Sequence, residues 1–362
     1  MTAGGALAVV SAVAFGATTP FVQRFGRGVG PFATAALLYG GAATFALAAF
    51  VASAAASGLA APRQPQPGLR RSDLPRLAIV ALLGAVVAPV ALAWGLQRTS
   101  GVTASLLLNL EAVFTVLLAR ALWAEPIGRK AGMALLAMTS GGALLVAIGA
   151  NGAPGIGPAS GAAWGALAVV LATLAWAADN TVGRPLSDRD PLRIVLAKGT
   201  MGAVAAVFLS SVSGERWPSG SSPRAMILLA ACGAVGYGAS LALYLRAQRV
   251  IGAARTGSIF AVAPFVGAAI AWALGEHVAG AATLGAGVLF AVGLWLHLTE
   301  SHGHDHFHEA IAHDHAHSHD DAHHDHRHRP APPVGVHSHP HTHEATTHSH
   351  PHGLDVHHRH RH

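Results

Sequence analysis

The sequence predicts an all-α membrane protein of ten transmembrane helices, built as two inverted five-helix repeats and followed by a disordered histidine-rich tail. Three observations lead there. Of the 362 residues, 52% are hydrophobic and only 11% are charged, against roughly 25% charged in an ordinary soluble domain. The apolar residues fall in blocks of about twenty, the length that crosses a bilayer. A hexapeptide of the first block also returns unchanged halfway along the chain.

Punctuation by Gly, Pro and Arg places the spans near 4–23, 32–57, 76–97, 101–123 and 130–150, then 161–182, 192–212, 225–246, 254–274 and 279–299. Met1-Thr2-Ala3-Gly4-Gly5 lacks the basic stretch of a cleavable signal, so the first helix is expected to stay in the membrane. The spans are rich in Gly, Ala, Ser and Thr, small residues that let helices approach where lipid supplies no hydrophobic drive. The domain reading is therefore a first repeat over 1–150, a linker over 151–160, a second repeat over 161–300 and a tail over 301–362.

Up to Glu300 there are 19 Lys/Arg and 9 Asp/Glu, whereas the tail holds 4 Arg, 8 acids and 23 of the 25 histidines. The basic balance thus belongs to the membrane part. It reports topology and anionic lipid, and no nucleic-acid motif accompanies it. With ten spans both ends share one side. That side also carries Arg63, Arg70, Arg71, Arg76, Arg129, Lys130, Arg184, Arg189, Arg193, Arg246, Arg249 and Arg255, against Arg24, Arg27, Arg98, Arg216 and Arg224 opposite. The positive-inside rule puts both termini in the cytoplasm of a plasma (inner) membrane protein. The single cysteine, Cys232, forms no intrachain disulfide and lies in an apolar block, where packing is its expected role.

Gly5-Ala6-Leu7-Ala8-Val9-Val10 recurs as Gly165-Ala166-Leu167-Ala168-Val169-Val170, and Arg24 and Pro31 match Arg184 and Pro191 at the same offset. Gln97-Arg98 and Glu125 match Gln248-Arg249 and Glu276 at a slightly shorter one. Five spans is an odd number, so the second copy enters from the opposite side, the pattern of alternating-access carriers. Gln97-Arg98-Thr99-Ser100, then Leu106-Leu107-Leu108-Asn109-Leu110-Glu111-Ala112-Val113-Phe114, then Glu125-Pro126 resemble the EamA type of the drug/metabolite transporter superfamily. Ala263-Pro264-Phe265 and Gly275-Glu276 hold matching places in the second copy, while Ala112 stands where a proline usually follows the glutamate. The resemblance covers about residues 1–300 and implies a carrier of small solutes, amino acids, nucleotide-like metabolites and drugs among them. It does not fix the substrate, and it leaves the tail outside.

Ionisable groups within spans are costly and tend to face a cavity or a partner. Glu111, in the middle of the fourth span, either exchanges a proton for substrate or holds two helices together. Asp179 and Asn180 lie about one turn inside the sixth span and Lys198 about two turns into the seventh from the same side, which allows an ion pair across that hairpin. Such a pair would neutralise two costly charges, or gate the cytoplasmic side, or anchor a zwitterionic or anionic solute. Its first-repeat counterparts are Thr19 and Pro20, so the halves differ chemically here. Thr18, Thr19, Asn109, Tyr237, Ser240 and Tyr244 are candidates to line a cavity or to satisfy neighbouring backbone. Pro89 and Pro264 are expected to kink their spans. Glu276 and His277 look like interface residues, and His297 a membrane-edge residue.

The tail repeats His-x-His: His302, His304, His306, His308, His313, His315, His317, His319, His323, His324, His326 and His328, then His337, His339, His341, His343, His348, His350, His352, His357, His358, His360 and His362. It cannot bury a core and is expected to be disordered. Neutral imidazoles suit Zn, Ni, Co or Cu(II), the lack of cysteine argues against a dedicated Cu(I) site, and Asp305, Asp314, Asp320, Asp321 and Asp325 could add oxygen ligands. The same histidines could instead buffer metal or sense pH.

Three readings result: a secondary transporter of a small solute with a cytoplasmic tail binding divalent metal; a divalent-metal (Ni, Co or Zn) carrier fed or regulated by the tail; and a metal-responsive membrane binding protein without transport. No nucleophile–base set or cofactor loop points to an enzyme, and no cofactor is required. The expected partners are the lipid bilayer and a small-molecule or metal-ion substrate, with the oligomeric state open.

Overall fold

The computed structural model describes residues 3–57, 68–123, 127–150, 159–186, 189–215, 217, 223–276, 280–299, 303–308, 311–317, 337–343 and 346–351. Among them ten helical segments are long and apolar enough to cross a membrane, from Ala3–Phe25 to Ala281–Leu298. They fall on the ten blocks read from the sequence, and the seventh, Pro191–Val212, keeps Lys198 inside it.

Six spans are single helices: α1 (Ala3–Phe25), α2 (Pro31–Ser57), α7 (Arg129–Ala150), α8 (Ala159–Gly183), α9 (Pro191–Val212) and α14 (Ala281–Leu298). The other four are interrupted. The third runs as α3 (Leu74–Leu82), a π turn at Leu83–Val87 and α4 (Ala88–Leu96). Its repeat partner, the eighth, runs as α10 (Pro223–Cys232), a π turn at Gly233–Ala239 and α11 (Ser240–Ile251). The fourth breaks at Leu108-Asn109 between α5 (Gly101–Leu107) and α6 (Leu110–Trp123), and the ninth breaks at Ala261-Val262 between α12 (Ala253–Phe260) and α13 (Ala263–Ala273).

The two π turns occupy equivalent places in the two halves, and the breaks of the fourth and ninth spans lie within two residues of that register. The offset that carries Gln97 onto Gln248 (248 − 97 = 151) carries residues 83–87 onto 234–238, inside the second π turn. The duplication is thus written in helix geometry where residue identities have faded. Pro89 and Pro264 both stand in the first turn of a resumed helix, α4 and α13. There proline's missing N–H is one that the helix would leave unpaired anyway.

The most extensive helix contacts join α2 to α9 and α7 to α14, each a pair of repeat counterparts. Alanine dominates the buried set, and larger apolar groups such as Leu38, Leu92, Leu107, Val169 and Phe290 fill one continuous core. Small residues bring the backbones close, as packing in lipid requires. Leu136, Val212, Ile227 and Phe208 point outward, the apolar exterior expected where the solvent is hydrocarbon.

The chain's two membrane ends meet one face, here called the terminal face. Gly4 packs on Ile251 there, and Lys130 Nζ reaches the Thr299 carbonyl at 3.4 Å. On this face Arg189 grips Asp73 through Nε–Oδ2 at 2.9 Å and Nη2–Oδ1 at 3.3 Å. The Arg70 N–H donates to the same carboxylate and the Arg249 guanidinium donates to the Arg189 carbonyl. A forked guanidinium–carboxylate contact fixes orientation as well as charge, so the start of the third span, the sixth–seventh connection and the end of the eighth are tied together.

The described stretches of the tail are four short paired segments. Gly303–His308 (β1) pairs antiparallel with Thr346–Pro351 (β4), and Ile311–His317 (β2) pairs with His337–His343 (β3). His-x-His has period two, which is also the period of a strand. The register sets His313, His315 and His317 opposite His341, His339 and His337, and His304 and His306 opposite His350 and His348. The histidines at 302, 319, 323, 324, 326, 328, 352, 357, 358, 360 and 362 lie outside the described residues.

Candidate functional site

Interrupted helices free backbone groups within the membrane, which must be paired by something other than the helix itself. The π turn of the third span shows how. The Gly84 carbonyl accepts from the Tyr39 hydroxyl and, at 3.1 Å, from the Trp176 indole N–H. A Cβ at 84 would run into the Asp179 carboxylate and stand 2.7 Å from Lys198 Nζ, so glycine leaves the pair its room. Against that bare backbone the Lys198 ammonium donates to Asp179 Oδ2, an ion pair between α8 and α9 with side chains only 8% and 4% exposed. The pair inferred across this hairpin is present.

Glu111 sits in the first turn of α6, just past the break in the fourth span. A carboxylate there is favoured by the positive end of the resumed helix. Its Oε1 accepts from Asn180 Nδ2 at 2.6 Å, and its charged neighbours are Asp179 and Lys198. Trp176, Asp179 and Asn180 lie within about one turn of α8, so that single helix joins the two polar pairs to the aromatic residues.

Those aromatics form a connected set. Ring centroids are 5.9 Å apart for Phe15 and Trp176, 5.7 Å for Phe15 and Tyr237, 5.5 Å for Phe15 and Phe260, 5.4 Å for Tyr39 and Tyr237, and 5.0 Å for Tyr244 and Phe260. They come from the first, second, sixth, eighth and ninth spans. All three tyrosines of the chain are among them, which marks this as a place built for rings with a polar tip. Tyr244, whose hydroxyl bonds Gln248, has Glu111 and Arg184 as neighbouring charges.

The arrangement is graded from one face to the other. Asn180 is exposed and Glu111, Phe15, Tyr244 and Phe260 are half-buried, whereas Tyr39, Trp176 and Tyr237 are buried. At the face opposite the termini the groups are packed shut. Gln23 Nε2 donates to the Thr99 carbonyl at 2.9 Å, Gln97 Nε2 to the Val29 carbonyl at 2.8 Å, and the Gly101 N–H to Glu276 at 2.5 Å. Glu215 from the loop after α9 accepts from the Phe32 and Ala33 N–H groups at 3.3 and 3.0 Å. It caps α2 in trans, where Gly30 offers no side chain, while α9 is capped by its own Asp190.

Of the residues singled out from sequence, Glu111, Asp179, Asn180, Lys198, Tyr237 and Tyr244 come together. Thr18 donates to the Phe15 carbonyl at 2.6 Å and Asn109 to the Leu106 carbonyl at 2.9 Å, so both serve their own backbone. Thr19 is buried. Ser240 is clasped to Ser11, each hydroxyl donating to the other's carbonyl at 2.9 and 2.8 Å, and lines no opening. Glu125 and His277 lie outside the described residues. Sequence reasoning missed Gly84, Tyr39, Trp176 and Phe15. The scarcity of tyrosine was a usable signal for Tyr39, and glycine five residues before Pro89 was one for Gly84.

Ten spans in two five-helix halves, interrupted at matching points around a buried polar centre, define a duplicated multi-pass membrane protein. The chain belongs to the EamA-like transporter family, whose pattern matches it twice, over residues 2–147 and 163–299. It is 28% identical over 207 residues to an uncharacterized transporter of Methanothermobacter thermautotrophicus, a match covering 56% of this chain and 58% of that protein. The chain therefore spans less than two thirds of that relative's length. The crystal structure of another protein is similar with a TM-score of 0.56 at 17% identity, covering 82% of this chain and 96% of the other. That likeness is one of fold.

Proposed function

We propose that this protein is a secondary transporter that moves a small solute by alternating access, with Glu111, Asp179, Asn180 and Lys198 at the transport and coupling site. The observation that carries the reading is the convergence of two polar pairs on the breaks of the third and fourth spans, where discontinuous helices of carriers place their ligands. Exposure of Asn180 and the closed contacts of Gln23, Gln97 and Glu276 support a state facing the terminal side. The excess of basic residues on that side supports assigning it to the cytoplasm. Glu111 takes a proton or the solute in turn.

The tail is proposed to bind divalent Zn, Ni or Co beside the transporter, collecting or sensing metal. Transport of the metal itself is the weaker reading. Among the described residues no group of three His, Cys, Asp or Glu side chains could hold an ion. Uptake by proteoliposomes, with the full chain and a form ending at Glu300, tests both readings by screening Ni, Co and Zn beside organic solutes. Movement of an organic solute by both forms supports the proposal. Metal movement alone replaces it with the metal carrier, and no movement of anything refutes transport. Glu111→Gln is expected to abolish dependence on a proton gradient, and unchanged gradient-driven uptake refutes the coupling role.

A further inference from the structure

The repeated Gln-Arg dipeptide stands in two different arrangements in the two halves. At the face opposite the termini Gln97 Nε2 donates to the Val29 carbonyl at 2.8 Å. Arg98 turns back on its own helix, donating to the Trp94 carbonyl at 3.0 Å with its guanidinium 3.7 Å from the Trp94 ring centre. The repeat offsets carry Gln97 onto Gln248 and Arg98 onto Arg249 (248 − 97 = 249 − 98 = 151), and Val29 onto Arg189 (189 − 29 = 160, the offset of Arg24 to Arg184). On the terminal face that counterpart carbonyl, Arg189's, accepts from the Arg249 guanidinium, and Gln248 bonds the Tyr244 hydroxyl instead. The glutamine thus holds the loop carbonyl on the closed face, and the arginine holds it on the other.

Arm length gives this exchange a mechanical sense. Glutamine is shorter than arginine, so its amide reaches the carbonyl only when the helix end lies close to the neighbouring connection, whereas the guanidinium spans a wider separation. Inverted halves that rock about a site at the midplane make each other's contacts in opposite states. The arrangement around the Val29 carbonyl is then the one that the Arg189 carbonyl takes when the terminal face closes.

We propose that Gln97 and Gln248 are alternating latches of the two faces: as the terminal face closes, Gln248 leaves Tyr244 for the Arg189 carbonyl and displaces Arg249, and Gln97 releases Val29. Gln248 is thereby a positioning residue for the polar centre. Tyr244, which it holds in the present state, packs on Phe260 at 5.0 Å and has Glu111 and Arg184 as neighbouring charges, so latch and site share one side chain. The forked contact with Asp73 fixes Arg189 as the strike for this latch. The proposal rests on the transport reading above for its meaning, but its test does not.

Spin labels on Arg193→Cys and Val250→Cys, both exposed positions, in the full Cys232→Ser chain in nanodiscs measure the separation across the terminal face by pulsed electron resonance. The parent is expected to show mainly the longer separation. Gln97→Leu should raise the population of a shorter one about fivefold, the worth of one net hydrogen bond. Gln248→Leu alone should leave the main population unchanged, because its latch is open in this state, and Gln97→Leu/Gln248→Leu should return the distribution to the parent's. No shift on Gln97→Leu, a double variant that stays shifted, or a Gln248→Leu effect of equal size in both backgrounds, as a merely structural residue would give, overturns the proposal. Solute counterflow in proteoliposomes separates the two ideas. Distances that respond as stated without counterflow keep the latches and refute transport, whereas counterflow with distances indifferent to both glutamines keeps transport and refutes the latches.

Discussion

Replacing Lys198 with Met removes one member of a buried ion pair and keeps the length of the chain. Asp179, 4% exposed, then has no cation against it and has Glu111 as a like-charged neighbour. Breaking a buried pair from one side costs about 3–5 kcal/mol, because the remaining charge stays desolvated without compensation. Chains of 150–250 residues lose roughly 2–4 °C of thermal midpoint per kcal/mol, so a drop of about 6 °C or more is expected. Intrinsic fluorescence of the purified protein in nanodiscs measures it. The double variant Asp179→Asn/Lys198→Met has no charge to strand and should regain most of the loss, since neutral replacements of buried pairs are often tolerated. Transport by the stable double variant then separates the two roles of the pair. Retained uptake makes it structural, and lost uptake with a recovered midpoint makes it part of the site. A single variant as stable as the parent, or a double variant as unstable as the single, would refute the electrostatic account.

Gly84→Ala should destabilise by roughly 1–3 kcal/mol through overpacking against Asp179 and Lys198, and Asp179→Ala should relieve part of it, which a double-mutant cycle on thermal midpoints reads out. Ser11→Ala and Ser240→Ala break the same reciprocal clasp, so their effects should fall short of additive, with a coupling of about 0.6 kcal/mol typical of such bonds between membrane helices; strict additivity would show that the two hydroxyls act separately. Asp73→Asn frees Arg189 from its forked contact on the terminal face and is expected to speed amide exchange at the start of α3 without lowering solute affinity. Calorimetry at neutral pH should find several Zn or Ni equivalents on the full chain and none on a form ending at Glu300, and equal uptake by both would remove the tail as the metal-binding element.

The spans were legible because twenty apolar residues in a row have few other uses, and the ion pair was legible because Asp179 and Lys198 lie in the two arms of one hairpin, about one and two turns in from the same side. The π turns were not. Leu83-Gly84-Ala85-Val86-Val87 and Gly233-Ala234-Val235-Gly236-Tyr237-Gly238-Ala239 are as apolar as the helices around them, and a change from i→i−4 to i→i−5 bonding leaves hydrophobicity untouched. What betrays such a turn is the partner that claims its freed carbonyl. For Gly84 those partners, Tyr39 and Trp176, are 45 and 92 residues away. The hydroxyl candidates divided for a related reason. Spacing put Tyr237, Ser240 and Tyr244 on one face of the eighth span, but only a tyrosine carries its hydroxyl far enough from the backbone to reach the centre of the bundle. Serine's short arm bonds whatever backbone packs beside it, and for Ser240 that is Ser11. Composition thus located the helices, whereas the length of each polar side chain decided which of them reach the centre.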